Sequence, residues 1–89
     1  MITREYRVNN KLGLHARPSA QITQLASRFS SEVWLSKNGR RVNAKSIMGV
    51  MMLAAGQGSV LIVEADGPDE SEAIDAVGEL IASRFGEVE

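Results

Sequence analysis

The chain of 89 residues has no cysteine, a single histidine, and almost no net charge: 10 Lys and Arg against 11 Asp and Glu, or −1 at pH 7. Without cysteine there are no disulfides, no thiol catalysis and no thiolate metal site. One histidine is too few for an imidazole-rich metal centre, and the remaining acidic ligands are scattered. The charge balance removes any general attraction to nucleic acid or anionic lipid, because that attraction needs clustered, uncompensated Lys and Arg. No apolar run is long enough to cross a membrane. The N-terminal MITREYRV carries charges where a secretory signal would need an apolar stretch, so the expected compartment is the cytoplasm.

What is there belongs to an ordinary folded domain, 44% hydrophobic and 24% charged. A chain of this length builds one modest core, so a single domain over residues 1–89 is expected. TREYRVNN alternates Tyr6 and Val8 with polar residues, the period of a half-buried strand. From Pro18 to Phe29, apolar Pro18, Ile22, Leu25, Ala26 and Phe29 recur at spacings of three and four, which predicts an amphipathic helix. EVWLSKNGRRVNA reads as a hairpin around Asn38 and Gly39, with Val33, Leu35 and Val42 inward and Trp34 outward. Ser46 opens a short apolar helix from about Ile47 to Leu53, and SVLIVEAD is a strand with Leu61, Val63 and Ala65 inward.

The last helix is expected to be capped by Asp69, with Glu72 three positions on and a core stripe of Ala73, Ile74, Val77, Leu80 and Ile81. The order βαββαβα, without repeats or linkers, points to the α+β class: an antiparallel sheet covered by helices on one face.

The lone histidine, His15 in GLHARPSA, stands where a loop becomes a helix. Lone histidines are most often surface or structural residues. A helix first turn, however, exposes unpaired N–H groups and the positive end of the macrodipole, so it can hold an anion. Ala16 and Arg17 would supply backbone donors there, and the Arg17 side chain adds a fork suited to phosphate oxygens. Pro18 costs little in a first turn and stiffens it. The helix field should favour a neutral imidazole with one nitrogen free as nucleophile. A hydrolytic triad would need a third group to orient the ring, and nothing in the sequence points to one. These residues alone leave phosphoryl transfer and a plain structural role both open.

GLHARPSA followed by an amphipathic helix, with NGRRVNAKSIMGVMMLAAGQGS about thirty residues on, resembles the HPr family. Its members are the histidine phosphocarriers of the bacterial phosphoenolpyruvate-dependent phosphotransferase system. The likeness runs from Tyr6 to Phe85. It implies an open-faced β-sandwich, a four-stranded antiparallel sheet of order 1-4-2-3 with three helices on one face. It also implies that His15 is phosphorylated on Nδ1, that Arg17 assists the phosphoryl group, and that the carrier uses no cofactor or metal. Enzyme I would be the donor, a sugar-specific or regulatory enzyme IIA domain the acceptor, and the carrier a monomeric recyclable substrate rather than an enzyme.

Ser46 is first of all a helix cap. In many members of the family the serine of the KSIMG segment is also phosphorylated by HPr kinase/phosphorylase, and the segment here matches that form. By the same resemblance Ala20, Ile47, Met48 and Met51 belong to the surface that docks onto partners, where flexible methionines suit one face that must fit several proteins. Members of the family often carry basic residues on the exposed side of the first helix, and the chain departs from that pattern: Gln24 and Ser27 are neutral there, with Arg28 nearby. Arg40, Arg41 and Lys45 read as solvated hairpin surface, since no stacking aromatics interleave them. The rival readings are a regulatory module signalling through phospho-Ser46, a nitrogen-type regulatory branch in place of sugar transport, and a plain α+β scaffold.

Overall fold

The computed structural model describes residues 1–87. Its elements are β1 (Ile2–Arg7), α1 (Ala16–Ala26), β2 (Glu32–Lys37), β3 (Arg40–Asn43), α2 (Ile47–Met52), β4 (Val60–Asp66) and α3 (Glu70–Ala82), followed by a 3-10 turn, Arg84–Gly86. The order is the predicted βαββαβα. The sheet is antiparallel with strand order β1-β4-β2-β3, so the strand that comes last in the chain lies at the centre. Leu35 of β2 stands opposite both Val63 of β4 and Val42 of β3.

Alternation along the strands separates two faces. Val33, Leu35, Leu61, Val63 and Ala65 are buried beneath the helices, while Val60 and Ile62 lie on the open face. Ile22 and Ala26 of α1, Val50 of α2, and Ala73, Ile74, Val77 and Ile81 of α3 fill the other side of the core. The Asn38–Gly39 turn takes positive φ at both residues, 52° and 82°, as a two-residue turn matched to the strand twist requires.

Several local expectations need correction. α1 ends at Ala26 rather than running to Phe29, because the chain turns at Ser27 to reach β2, and Leu25 and Phe29 only flank the core. Val42 and Leu80 are likewise partly buried. β1 starts earlier than the alternation of Tyr6 and Val8 indicates, and Val8 is buried just beyond its end. Trp34 does face outward, but the Arg41 guanidinium covers its ring at 3.9 Å and also reaches Glu64 at 3.1 Å. Arg40 bonds the carbonyl of Met52 and Lys45 that of Phe29, so the basic residues of the hairpin are dispersed over separate structural bonds.

Asp69 occupies the position before α3 without capping it. Its carboxylate instead accepts from the Ser31 hydroxyl and from the backbone N–H groups of Ser30 and Ser31, both at 2.9 Å. Chiefly the Ser31 hydroxyl, and then the Ser30 amide, hold this carboxyl below the ordinary aspartate range. The reach back over the first turn comes from Glu70, which accepts from the Gly67 N–H at 3.0 Å. Asp69 thus ties the α1–β2 connection to the start of α3.

Candidate functional site

The loop before α1 is set by local bonds. Asn10 is fully buried; its side-chain amide donates to the Gly13 carbonyl at 2.8 Å, and its own carbonyl accepts from Gly13 N–H at 3.2 Å. Gly13 has φ +65°, and a Cβ there would lie 2.3 Å from the Ala55 carbonyl oxygen. Only glycine fits this approach. The next residue, Leu14, donates to that same carbonyl at 2.8 Å, which fastens the loop to the segment after α2.

His15 is therefore delivered to the N-cap position of α1, with φ −78° and ψ −170°. Its carbonyl accepts from Ser19 N–H, the first bond of the helix. Its side chain makes no cap bond. Among the described residues, the N–H groups of Ala16 and Arg17 have no carbonyl partner, and Pro18 has no N–H to satisfy. Ala16 and Arg17 are exposed, and the His15 side chain is 36% accessible. The first turn of an eleven-residue helix is thus left open to solvent with its positive end outward.

Sequence reasoning missed one neighbour. The carboxylate of Glu87, just beyond the turn after α3, lies 2.9 Å from His15 Nε2 through one oxygen, while its other oxygen accepts from Asn10 Nδ2 at 3.0 Å. Asn10 first of all, then His15 and the charge of Arg17, hold the Glu87 carboxyl below the ordinary range, against an opposing effect of desolvation. An ionised carboxylate only accepts hydrogen bonds, so Nε2 carries the proton in this contact. Nδ1 has no hydrogen-bond partner among the described residues. The group that a triad would need, which the sequence did not reveal, is present 72 residues away along the chain.

Ser46 caps α2 as expected: its Oγ accepts from Gly49 N–H at 3.2 Å, and the residue is exposed. Beyond it, α2 presents Ile47, Met48, Met51 and Met52 to solvent, Met48 being 66% accessible, and Leu12 of the His15 loop is exposed as well. Ala20 is half-buried on α1. Met52 and Leu12 are exposed apolar residues that the sequence reading did not single out.

The family model described as the PTS HPr component phosphorylation site matches residues 2–83. The chain belongs to the HPr family. It is 64% identical over all 89 residues, the whole of both chains, to the phosphocarrier protein HPr of Cupriavidus necator. Its fold superposes on the crystal structure of HPr from Thermoanaerobacter tengcongensis with a TM-score of 0.94 at 52% identity, covering 98% of each chain. The Bacillus subtilis protein Crh, whose crystal structure is described as a dimer with a swapping domain, is 43% identical with a TM-score of 0.76, covering 94% of this chain and 97% of its own.

Membership of the family makes the chain a phosphocarrier of the phosphotransferase system, which carries a phosphoryl group and is not itself a catalyst. Its partners are in general the proteins of that system. No helix among the described residues is long and apolar enough to cross a membrane.

Proposed function

We propose that His15 accepts the phosphoryl group on Nδ1 from phospho-enzyme I and passes it to an enzyme IIA domain, the chain acting as a single cytoplasmic domain over residues 1–89. The observation that carries this reading is the open first turn of α1: a half-exposed ring whose Nδ1, among the described residues, has no hydrogen-bond partner, beside two amides that have no carbonyl partner among them. The Nδ1 lone pair forms the bond to phosphorus as the donor's bond to phosphorus breaks, the donor keeping that electron pair. Backbone donors of Ala16 and Arg17 and the Arg17 guanidinium then face the phosphoryl oxygens, and no basic pocket is needed. Onward transfer reverses the step, with the electron pair returning to Nδ1.

Ser46 is read as a second, regulatory phosphorylation site for HPr kinase/phosphorylase. Its hydroxyl is exposed at the start of α2, where a phosphate is tolerated locally. The added charge would border the apolar face of Ile47, Met48 and Met51, which with Ala20 is read as the docking surface for enzyme I and enzyme IIA, and would weaken docking there. Transfer is expected from a monomer; the dimer described for Crh is the alternative that sedimentation would detect.

Incubation with enzyme I and phosphoenolpyruvate is expected to give an acid-labile, alkali-stable phosphoprotein, with no label on His15→Ala. Equal labelling of wild type and His15→Ala overturns the assignment. With ATP and the kinase, an acid-stable phosphoserine absent from Ser46→Ala is expected, and an unlabelled wild type removes that site.

A further inference from the structure

After α3 the chain does something costly. Arg84, Phe85 and Gly86 take φ of 58°, 57° and 75° in succession, and two of the three are not glycine. A left-handed residue with a side chain is strained, and such strain persists only where the surroundings hold it. Here they do. Phe85 is 1% exposed in the core, its carbonyl accepts from the Gln21 side chain of α1 at 3.3 Å, and Glu87 N–H closes the turn onto the Arg84 carbonyl at 2.9 Å. A helix that simply frayed at Ser83 would need none of these bonds. Their combined result is to fold the chain back over the start of α1 and set the Glu87 carboxylate against His15 Nε2, with Asn10 gripping its other oxygen.

We propose that residues 84–87 form a positioning strap for His15, in which Glu87, held by Asn10, accepts from Nε2–H and so fixes the tautomer that leaves the lone pair on Nδ1. The role rests on the reading of His15 as phosphoryl acceptor and deepens it. A carboxylate on one ring nitrogen sets both the direction of the ring and which nitrogen is free. Because Nε2 keeps its proton throughout, the N–P bond at Nδ1 forms and breaks with no proton entering or leaving. The ring becomes cationic while it holds the phosphoryl group, and Glu87 then faces that positive charge. Asn10 serves twice, since the same amide that orients Glu87 also shapes the loop through Gly13. Glu87 is a positioning residue: it acts through His15 and does not meet the phosphoryl group.

The test is a nitrogen-15 spectrum of the His15 ring in the unphosphorylated protein, above neutral pH, for wild type, Glu87→Ala and Glu87→Gln. Wild type is expected to show the Nε2–H form almost alone. In Glu87→Ala the ratio of Nε2–H to Nδ1–H should fall about tenfold, the equivalent of one charge-assisted hydrogen bond. Glu87→Gln, whose amide oxygen still accepts, should recover most of that ratio. Initial rates of labelling from phospho-enzyme I should fall in the same order, with His15 still the labelled residue in every variant. An unchanged tautomer ratio in Glu87→Ala overturns the strap, whatever the labelling shows. A wild type that takes no label overturns the acceptor reading instead, and the spectra still decide the tautomer.

Discussion

α1 and α2 begin in opposite ways. At α2 the first turn is closed by its own sequence, because Ser46 Oγ accepts from Gly49 N–H. At α1 the corresponding position is held by His15, which caps nothing, and the amides of Ala16 and Arg17 are left without carbonyl partners among the described residues. The helix that forgoes its cap is the one whose N-terminal residue we propose as the phosphoryl acceptor. Its stability is supplied from outside, by the Asn10–Gly13 turn, the bond of Leu14 to Ala55 and the chain returning after α3. α3 offers a third arrangement, in which Asp69 leaves its own helix to hold Ser30 and Ser31.

Breaking the outside support should have the largest effect. Phe85→Ala empties a buried site and loosens the returning chain, and should cost about 4 kcal/mol in urea unfolding. Gly13→Ala forces a side chain against the Ala55 carbonyl at positive φ and should cost about 3 kcal/mol while slowing phosphoryl acceptance. A Gly13→Ala protein as stable as wild type would mean that the loop is not held where the structure places it. Uncapping the closed helix is milder: Ser46→Ala should cost about 1 kcal/mol and leave labelling of His15 intact.

Filling the open helix sharpens the contrast. Ala16→Asp places a permanent carboxylate in the first turn, so stability should hold or rise by up to about 0.5 kcal/mol while acceptance of the phosphoryl group drops severalfold. If both fall together, the turn is damaged rather than occupied. Asp69→Asn should show its effect mainly in acid. The depressed Asp69 carboxyl contributes stability that is complete above about pH 4 and lost as pH falls through its lower value in the folded chain. Melting curves of the variant should therefore lie below those of wild type at neutral pH and converge with them in strong acid.

Much of this was legible in the sequence because it is local. The inward set Leu61, Val63 and Ala65, the Asn38–Gly39 turn, the Ser46 cap and the position of His15 before a helix each follow from periodicity or turn chemistry within a few residues. Asp69 was misread for the opposite reason: an acidic residue before a helix has the composition of a cap, and its real partners lie 38 and 39 residues away. Glu87 was further out of reach. Its place depends on three left-handed residues in succession, two of which no propensity would put there, and on a buried asparagine at the far end of the chain. The SRFGE run after α3 was the available signal, a glycine closing a helix with an acidic residue directly behind it.

The claim that the open turn of α1 is a phosphoryl cradle is tested most directly by amide spectra of the protein before and after phosphorylation by enzyme I. The amide protons of Ala16 and Arg17 are expected to make the largest downfield shifts in the spectrum, while those of Gly49 and Val50 in the capped helix stay in place. Phosphorylated His15 with Ala16 and Arg17 unmoved would contradict the account.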